Sequence, residues 1–252
     1  MTGSPLHCFT LALIASAAPT GRAEPSAAEK ELARYARGVL AELEDETREA
    51  RGHYEATLAA DPDSFAVARK TADIQLADDD LPAASKTLRT FAGAQAGHLD
   101  AQIYYADFLE RHAPRDAVAR QAATEVLEGA NQRFPHTPAV YTRLINLHEN
   151  RGERDKSLAV FNAQFEAEGA GPDHWMALGP IARTLLPDDS PGLRKRLDLI
   201  AGKTVQTGVG IELAARTVSD YYRRTGRLEE AMTVLKQHLG IQPDSLQLRT
   251  RL

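Results

Sequence analysis

The sequence predicts an all-α protein, a solenoid of about five helical hairpins preceded by a helical cap. Three observations point there. A small residue followed four positions later by a large apolar one recurs along the chain: Ala50 and Tyr54, Ala84 and Leu88, Ala123 and Leu127, Ser157 and Phe161, Ala231 and Leu235. The small members lie 34, 39, 34 and 74 residues apart, the last spacing being two periods of 34 with six residues added. Proline closes several of these stretches, at Pro62, Pro135 and Pro243, where it cannot continue a helix interior. A self-similar period of this length marks a stacked repeat.

Composition fits a packed chain. Of 252 residues, 43% are hydrophobic and 26% charged, which is ordinary for a globular protein and enough to build a core. The net charge of −5 lacks the basic footprint of a nucleic-acid binder, and 6% aromatics leaves few rings for stacking on single strands.

The first element is a targeting segment. Cys8 to Ala18 reads CFTLALIASAA, too short for a bilayer span of about 20 residues but suited to the apolar region of a secretory signal. Small residues follow, with a cleavage site expected after Gly21-Arg22-Ala23, or at Ala15-Ser16-Ala17. Met1 to His7 carries no Lys or Arg, which departs from the usual pattern. The only Cys, Cys8, precedes the apolar run, so neither lipidation nor a mature disulfide is expected. Residues 1–23 are therefore read as a signal peptide. The protein is expected to be exported, periplasmic or extracellular.

Residues 24–64 form the cap. Leu32, Tyr35, Val39, Leu43, Thr47, Ala50, Tyr54 and Leu58 step by three or four without interruption. Glu44-Asp45-Glu46 contains no Gly or Pro to force a turn. One long helix and a degenerate hairpin both fit.

Residues 65–245 carry the array, in units at 65–98, 99–137, 138–171, 172–205 and 212–245. The unit at 212–245 has Tyr222, Gly226, Leu228, Ala231, Leu235 and Pro243. The unit at 138–171 has Tyr141, Leu144, Ile145, His148, Gly152, Ser157 and Phe161. The unit at 172–205 opens Trp175-Met176-Ala177-Leu178-Gly179, but Pro180, Pro187 and Pro191 are expected to shorten or break its helices. The unit at 99–137 has about five extra residues around His112-Ala113-Pro114. These motifs resemble the tetratricopeptide repeat family, whose unit reads W-x2-L-G-x2-Y, then A-x3-F, then P. His148 stands where that family has an aromatic and Ser157 where it has Ala. The resemblance implies a right-handed α-solenoid, in which small residues on each second helix let the first helix approach and the larger ones fill the gap to the next unit. After Pro243, Asp244-Ser245 offers a helix cap for 246–252, read either as a capping helix or as the start of a truncated repeat.

Reactive constellations are thin. The chain has no G-x-S-x-G, phosphate-loop or H-E-x-x-H pattern. His53, His98, His112, His136, His148, His174 and His238 form no i, i+4 pair, so no metal site and no cofactor is expected. Asp78-Asp79-Asp80 precedes Leu81-Pro82 and is read as helix-start chemistry. No enzymatic activity is expected.

Binding is placed by the resemblance. In the family, first helices line a groove that takes peptides or proteins. The matching positions here include Arg69 and Asp73, then Asp107, Glu110 and Arg111, then Thr142, Asn146 and Glu149. Met176 and Arg183 follow, then Arg216, Asp220, Arg223 and Arg224. The middle leans acidic and the end basic, a gradient able to orient an extended ligand, with Arg216, Arg223 and Arg224 suited to hold a carboxylate. The expected function is a non-catalytic interaction scaffold for an unidentified protein or peptide. The alternatives are a regulatory or substrate-presenting region of a larger envelope enzyme, and a self-associating array.

Overall fold

The computed structural model describes residues 26–187 and 190–252. The segment expected as a signal, residues 1–23, lies outside the described residues. Among the described residues there are thirteen α-helices and no strand. They are α1 (Ala27–Leu43), α2 (Thr47–Ala60), α3 (Phe65–Ala77), α4 (Leu81–Ala94), α5 (Leu99–His112), α6 (Ala117–Arg133) and α7 (Pro138–Asn150), followed by α8 (Arg154–Phe165), α9 (Pro172–Leu185), α10 (Pro191–Thr207), α11 (Glu212–Arg224), α12 (Leu228–Ile241) and α13 (Leu246–Arg249). The chain divides into two compact units, residues 1–61 and 62–252.

In the first unit, the cap resolves to a hairpin of α1 and α2. Ser26 and Glu29 start α1 with a reciprocal capping box. The turn needs neither Gly nor Pro because Asp45 itself takes the left-handed region, at φ 60°. Asp is among the few side chains that tolerate it. The two helices meet where Gly38 faces Tyr54. A Cβ on Gly38 would lie 2.8 Å from the fully buried Tyr54 ring. The Tyr54 hydroxyl donates to Glu42 Oε2 at 2.8 Å.

The second unit is a linear stack of five hairpins. They are α3–α4, α5–α6, α7–α8, α9–α10 and α11–α12, and each second helix also packs on the first helix of the next hairpin. First-helix N-caps recur at Ser64, His98, Thr137, Gly171, Ile211 and Ser245. The last of these opens α13, a single turn of four residues.

The repeat is written in the backbone as well. In four hairpins the residue before the second N-cap has positive φ: Asp45 at 60°, Asp79 at 58°, Gly152 at 71° and Gly226 at 77°. In each, the next N–H reaches back five residues: Glu46 to Ala41 O, Asp80 to Gln75 O, Glu153 to His148 O and Arg227 to Tyr222 O, at 2.8–2.9 Å. Together with the shorter bond from the positive-φ residue, this is the two-bond helix stop that satisfies otherwise orphaned carbonyls. Asp79 thus makes the turn and Asp80 caps α4, accepting from Ala83 N at 3.0 Å.

The small positions Ala84, Ala123, Ser157 and Ala231 are all buried, as are Leu88, Leu127, Phe161 and Leu235 four residues on. Each of these large side chains contributes roughly 1.5–3 kcal/mol by leaving water.

The fourth hairpin corrects one expectation. Pro180 does not break its helix: α9 runs through it to Leu185. The ring is exposed, and the lost hydrogen bond, about 3 kcal/mol in a helix interior, is offset by burial of Trp175, Leu178, Ile181, Ala182 and Leu185. Pro191 likewise starts α10, at its first turn, where no N–H is needed.

The added residues of the second and fourth hairpins lengthen their second helices. α6 and α10 each have 17 residues, against 14, 12 and 14 in α4, α8 and α12. Setting the N-caps Thr137 and Ile211 in register places Leu197 where α6 has Ala123, and Ala201 where it has Leu127. The small and large positions are exchanged in α10.

Candidate functional site

Eight of the ten predicted binding residues fall on two positions of the first helix, Arg216 and Arg224 being the exceptions. Nine residues after the N-cap stand Asp73, Asp107, Asn146 and Asp220. Twelve residues after it stand Glu110, Glu149, Arg183 and Arg223. A spacing of three puts both positions on one face of their helix.

Most of the acidic members are engaged within the chain, and their partners tie successive hairpins together. Asp73 accepts from the Tyr104 hydroxyl at 2.7 Å, across from α3 to α5. Burial and this carboxylate push the Tyr104 phenol up to about 12. Asp107 takes Arg143 of α7, Nε lying 3.2 and 3.1 Å from its two oxygens. Glu110 pairs with Arg151, whose side chain is only 8% exposed. Arg151 also donates to Thr124 Oγ1 at 2.8 Å and to the Arg120 carbonyl at 3.0 Å, so one guanidinium joins α5, α6 and the turn after α7. Glu149 holds Arg154 at 2.7 Å, and Arg154 reaches the Leu185 carbonyl at 2.7 Å. Asp220 pairs with Arg251.

The basic members divide. Arg216 donates to Gln247 and lies 3.7 Å from Glu212, so the expected trio of arginines is not three equivalent groups. Arg223 and Arg224 are exposed in the last turn of α11. Asn146 and Arg183 are exposed too. Among the described residues these four side chains have no hydrogen-bond or ion-pair partner. Arg183 sits 6.0 Å from the centre of the Tyr221 ring. Over all positions, residues 62–182 carry 12 Lys and Arg against 17 Asp and Glu, and residues 183–252 carry 12 against 8.

Arg183 also borders a crevice that the repeat pattern did not reveal. It opens between the fourth and fifth hairpins with a volume of about 510 Å³, walled by Arg183, Arg194, Leu193, Leu197 and Tyr221. A smaller pocket of about 50 Å³ shares Arg183, Leu197 and Tyr221 with it and extends past Met176, Ile200, Ala201 and Val218, with Thr204 and Thr217 at its border. Tyr221 is held there by donating to Asp198 Oδ1 at 2.6 Å, and Asp198 also takes Arg227 at 2.8 Å. Burial, then this carboxylate, pushes its phenol up to about 12. The exchange in α10 bears on the small extension, which Ala201 lines where other second helices send a large side chain toward the next unit; the main crevice runs along Leu193 and Leu197.

The histidines pack. His148 lies 2.7 Å from Glu153, His238 bridges Val234 O and Gly208 O at 3.1 Å, and His174 Nε2 donates to Gln164 O at 2.9 Å. Burial holds His174 below the usual imidazole range. Among the described residues no three His, Cys, Asp or Glu groups converge to hold a metal ion, and no helix is long and apolar enough to cross a membrane.

No protein-family profile and no curated protein matches the chain. Solved structures do. The chain is similar to the C-terminal part of a TPR repeat-containing protein from Cytophaga hutchinsonii, at 14% identity over 88% of this chain and 87% of that one, with a TM-score of 0.48. It is similar to pilF of Pseudomonas aeruginosa at 14% identity over 89% and 97%, TM-score 0.42. It is also similar to PilW, a widely conserved type IV pilus biogenesis factor, at 14% identity over 88% and 98%, TM-score 0.44. At these scores the likenesses add no weight to the tetratricopeptide-type architecture, which stands on the recurring turns and hairpin packing described above.

Proposed function

We propose that this chain is a non-catalytic protein–protein interaction scaffold that acts outside the cytoplasm and engages a peptide or protein segment along its first helices. One observation carries the reading. The side chains nine and twelve residues after each N-cap form a repeating row, and its acidic members are largely consumed in holding the stack together. Asn146, Arg183 and Arg223, in the same register, have no hydrogen-bond or ion-pair partner among the described residues, with Arg224 beside them. A partner presenting acidic groups to the C-terminal hairpins matches that remainder. The apolar run at Cys8–Ala18 supports export.

The test is site-specific photo-cross-linking in the source cell. A cross-linker at Asn146 or Arg223 is expected to trap the same partner, and Arg223→Ala with Arg224→Ala is expected to reduce the yield severalfold. A partner trapped only from Lys236, exposed on the second helix α12, would overturn the placement. Mass spectrometry of the exported fraction should find a chain beginning at Glu24. An intact Met1 in the cytosolic fraction would refute export.

A further inference from the structure

We infer that the crevice between the fourth and fifth hairpins binds a carboxylate carried beside a compact aliphatic group, as in an acidic peptide segment. This deepens the reading above and rests on it only in taking the ligand to be part of a protein.

The crevice has two kinds of surface. Its mouth carries Arg183 and Arg194, both exposed and without a counter-ion among the described residues. They share this with Arg223 and Arg224, whereas several other arginines in this part of the chain are committed. Arg196 donates to Asn162 Oδ1 at 2.7 Å and lies over the Phe161 and Phe165 rings. Arg227 is held by Asp198, Arg216 by Gln247 and Arg251 by Asp220. The walls of the crevice are apolar, from Leu193, Leu197 and the Tyr221 ring, and its inner end from Met176, Ile200, Ala201 and Val218.

Two guanidiniums at an apolar mouth favour an anion, because a charge-assisted bond strengthens where neighbouring apolar groups exclude water. The inner extension of about 50 Å³ admits the tip of one aliphatic side chain and no more. A carboxylate with one such side chain next to it satisfies both surfaces. An acidic residue beside Leu, or a C-terminal Leu, supplies that chemistry.

Two fluorescein-labelled peptides serve as probes for the full chain, read by fluorescence anisotropy at low salt. One has an internal Glu-Leu pair and an amidated end, the other a Gly-Ser spacer ending in Leu with a free carboxylate. At least one is expected to bind, and which one does distinguishes a side-chain carboxylate from a chain end. Replacing Glu by Gln, or amidating the end, should weaken binding at least tenfold. Arg183→Gln and Arg194→Gln should each weaken it about fivefold, and the pair more than tenfold. Ala201→Leu fills the extension while leaving both guanidiniums, so it should weaken binding at least fivefold; because Ala201 is buried, the variant is read at a temperature where its circular dichroism matches the parent's.

Failure of both peptides to bind at millimolar concentration would overturn the proposal. So would binding indifferent to Arg194→Gln and Ala201→Leu. If the cross-links from Asn146 and Arg223 persist in that case, the crevice assignment falls alone. If those cross-links vanish while the peptides still bind, the first-helix row falls instead.

Discussion

Gly208 has the closest neighbours of any described glycine in the second unit, and replacing it with Ala is expected to cost about 1–2 kcal/mol of stability. The residue caps α10 at φ −99°, a conformation open to any side chain, so backbone strain is not the reason. Space is the reason. A Cβ there would lie 2.5 Å from the Ala214 Cβ, 2.7 Å from the Thr204 carbonyl oxygen and 3.2 Å from the Pro172 Cβ. None of these atoms can rotate away, and Ala214 is fully buried. Relief requires α11 to move off α10, which strains the bonds that the Gly208 carbonyl accepts from Ile211 N at 2.9 Å and His238 Nε2 at 3.1 Å. Overpacking of this kind costs about 1–3 kcal/mol and occasionally more. The entropy removed from the unfolded chain returns only about 0.4–1 kcal/mol.

Gly202, inside α10 with nothing within 4 Å of its Cβ position, is the control. There Ala should stabilise by about 0.5–1 kcal/mol through helix propensity alone. Urea unfolding followed by circular dichroism gives the two values, and hydrogen exchange locates the loss, since stacked repeats need not unfold as one cooperative unit. A Gly208→Ala midpoint within about 0.5 kcal/mol of the parent, or one shifted upward like Gly202→Ala, would refute the packing described for this junction.

Other outcomes follow from the same contacts. Arg151→Met removes the donor shared by Glu110, Thr124 and the Arg120 carbonyl. It should cost about 2 kcal/mol in chemical denaturation, the low end for a broken buried pair because Glu110 stays partly hydrated, and adding Glu110→Gln should recover part of that loss. Burial above all holds the His174 pKa below the ordinary imidazole value of about 6.5, which favours the neutral form in the fold. Its contribution is therefore complete above about pH 6.5 and lost as pH falls below it, and His174→Gln should flatten the decline in urea midpoint between pH 7.5 and 5. Asp45→Gly relieves a left-handed Asp and should stabilise the first unit by about 1 kcal/mol, read as slower hydrogen exchange in α1 and α2.

The sequence disclosed the architecture because the repeat depends on volume, and volume is visible in residue type. Ala84, Ala123, Ser157 and Ala231 are small for the same reason that they are buried against the neighbouring helix. It concealed what depends on backbone torsion or on distant partners. Nothing in Glu44-Asp45-Glu46 separates a turn from a continuing helix until Asp45 is seen at positive φ. Nor could spacing tell that Asp107, Glu110, Glu149 and Asp220 meet Arg143, Arg151, Arg154 and Arg251. An unpaired groove carboxylate and one that ties neighbouring helices together look alike in one dimension.

The fourth hairpin lies between these cases. Its departure was legible in part, as prolines expected to break helices, and the wrong feature drew attention. Pro180 is absorbed, whereas the exchange of Leu197 and Ala201 is what alters the packing. The repeat rule asks for a small residue against the partner helix and a large one toward the next unit. α10 supplies the reverse, and Ala201, standing where a large side chain would be, lines the small extension of the crevice. A natural chain that breaks its own local rule at one place, beside two arginines that have no counter-ion among the described residues, concentrates there what stability alone does not explain. That is why the crevice, more than the charged row, distinguishes this stack from a generic one.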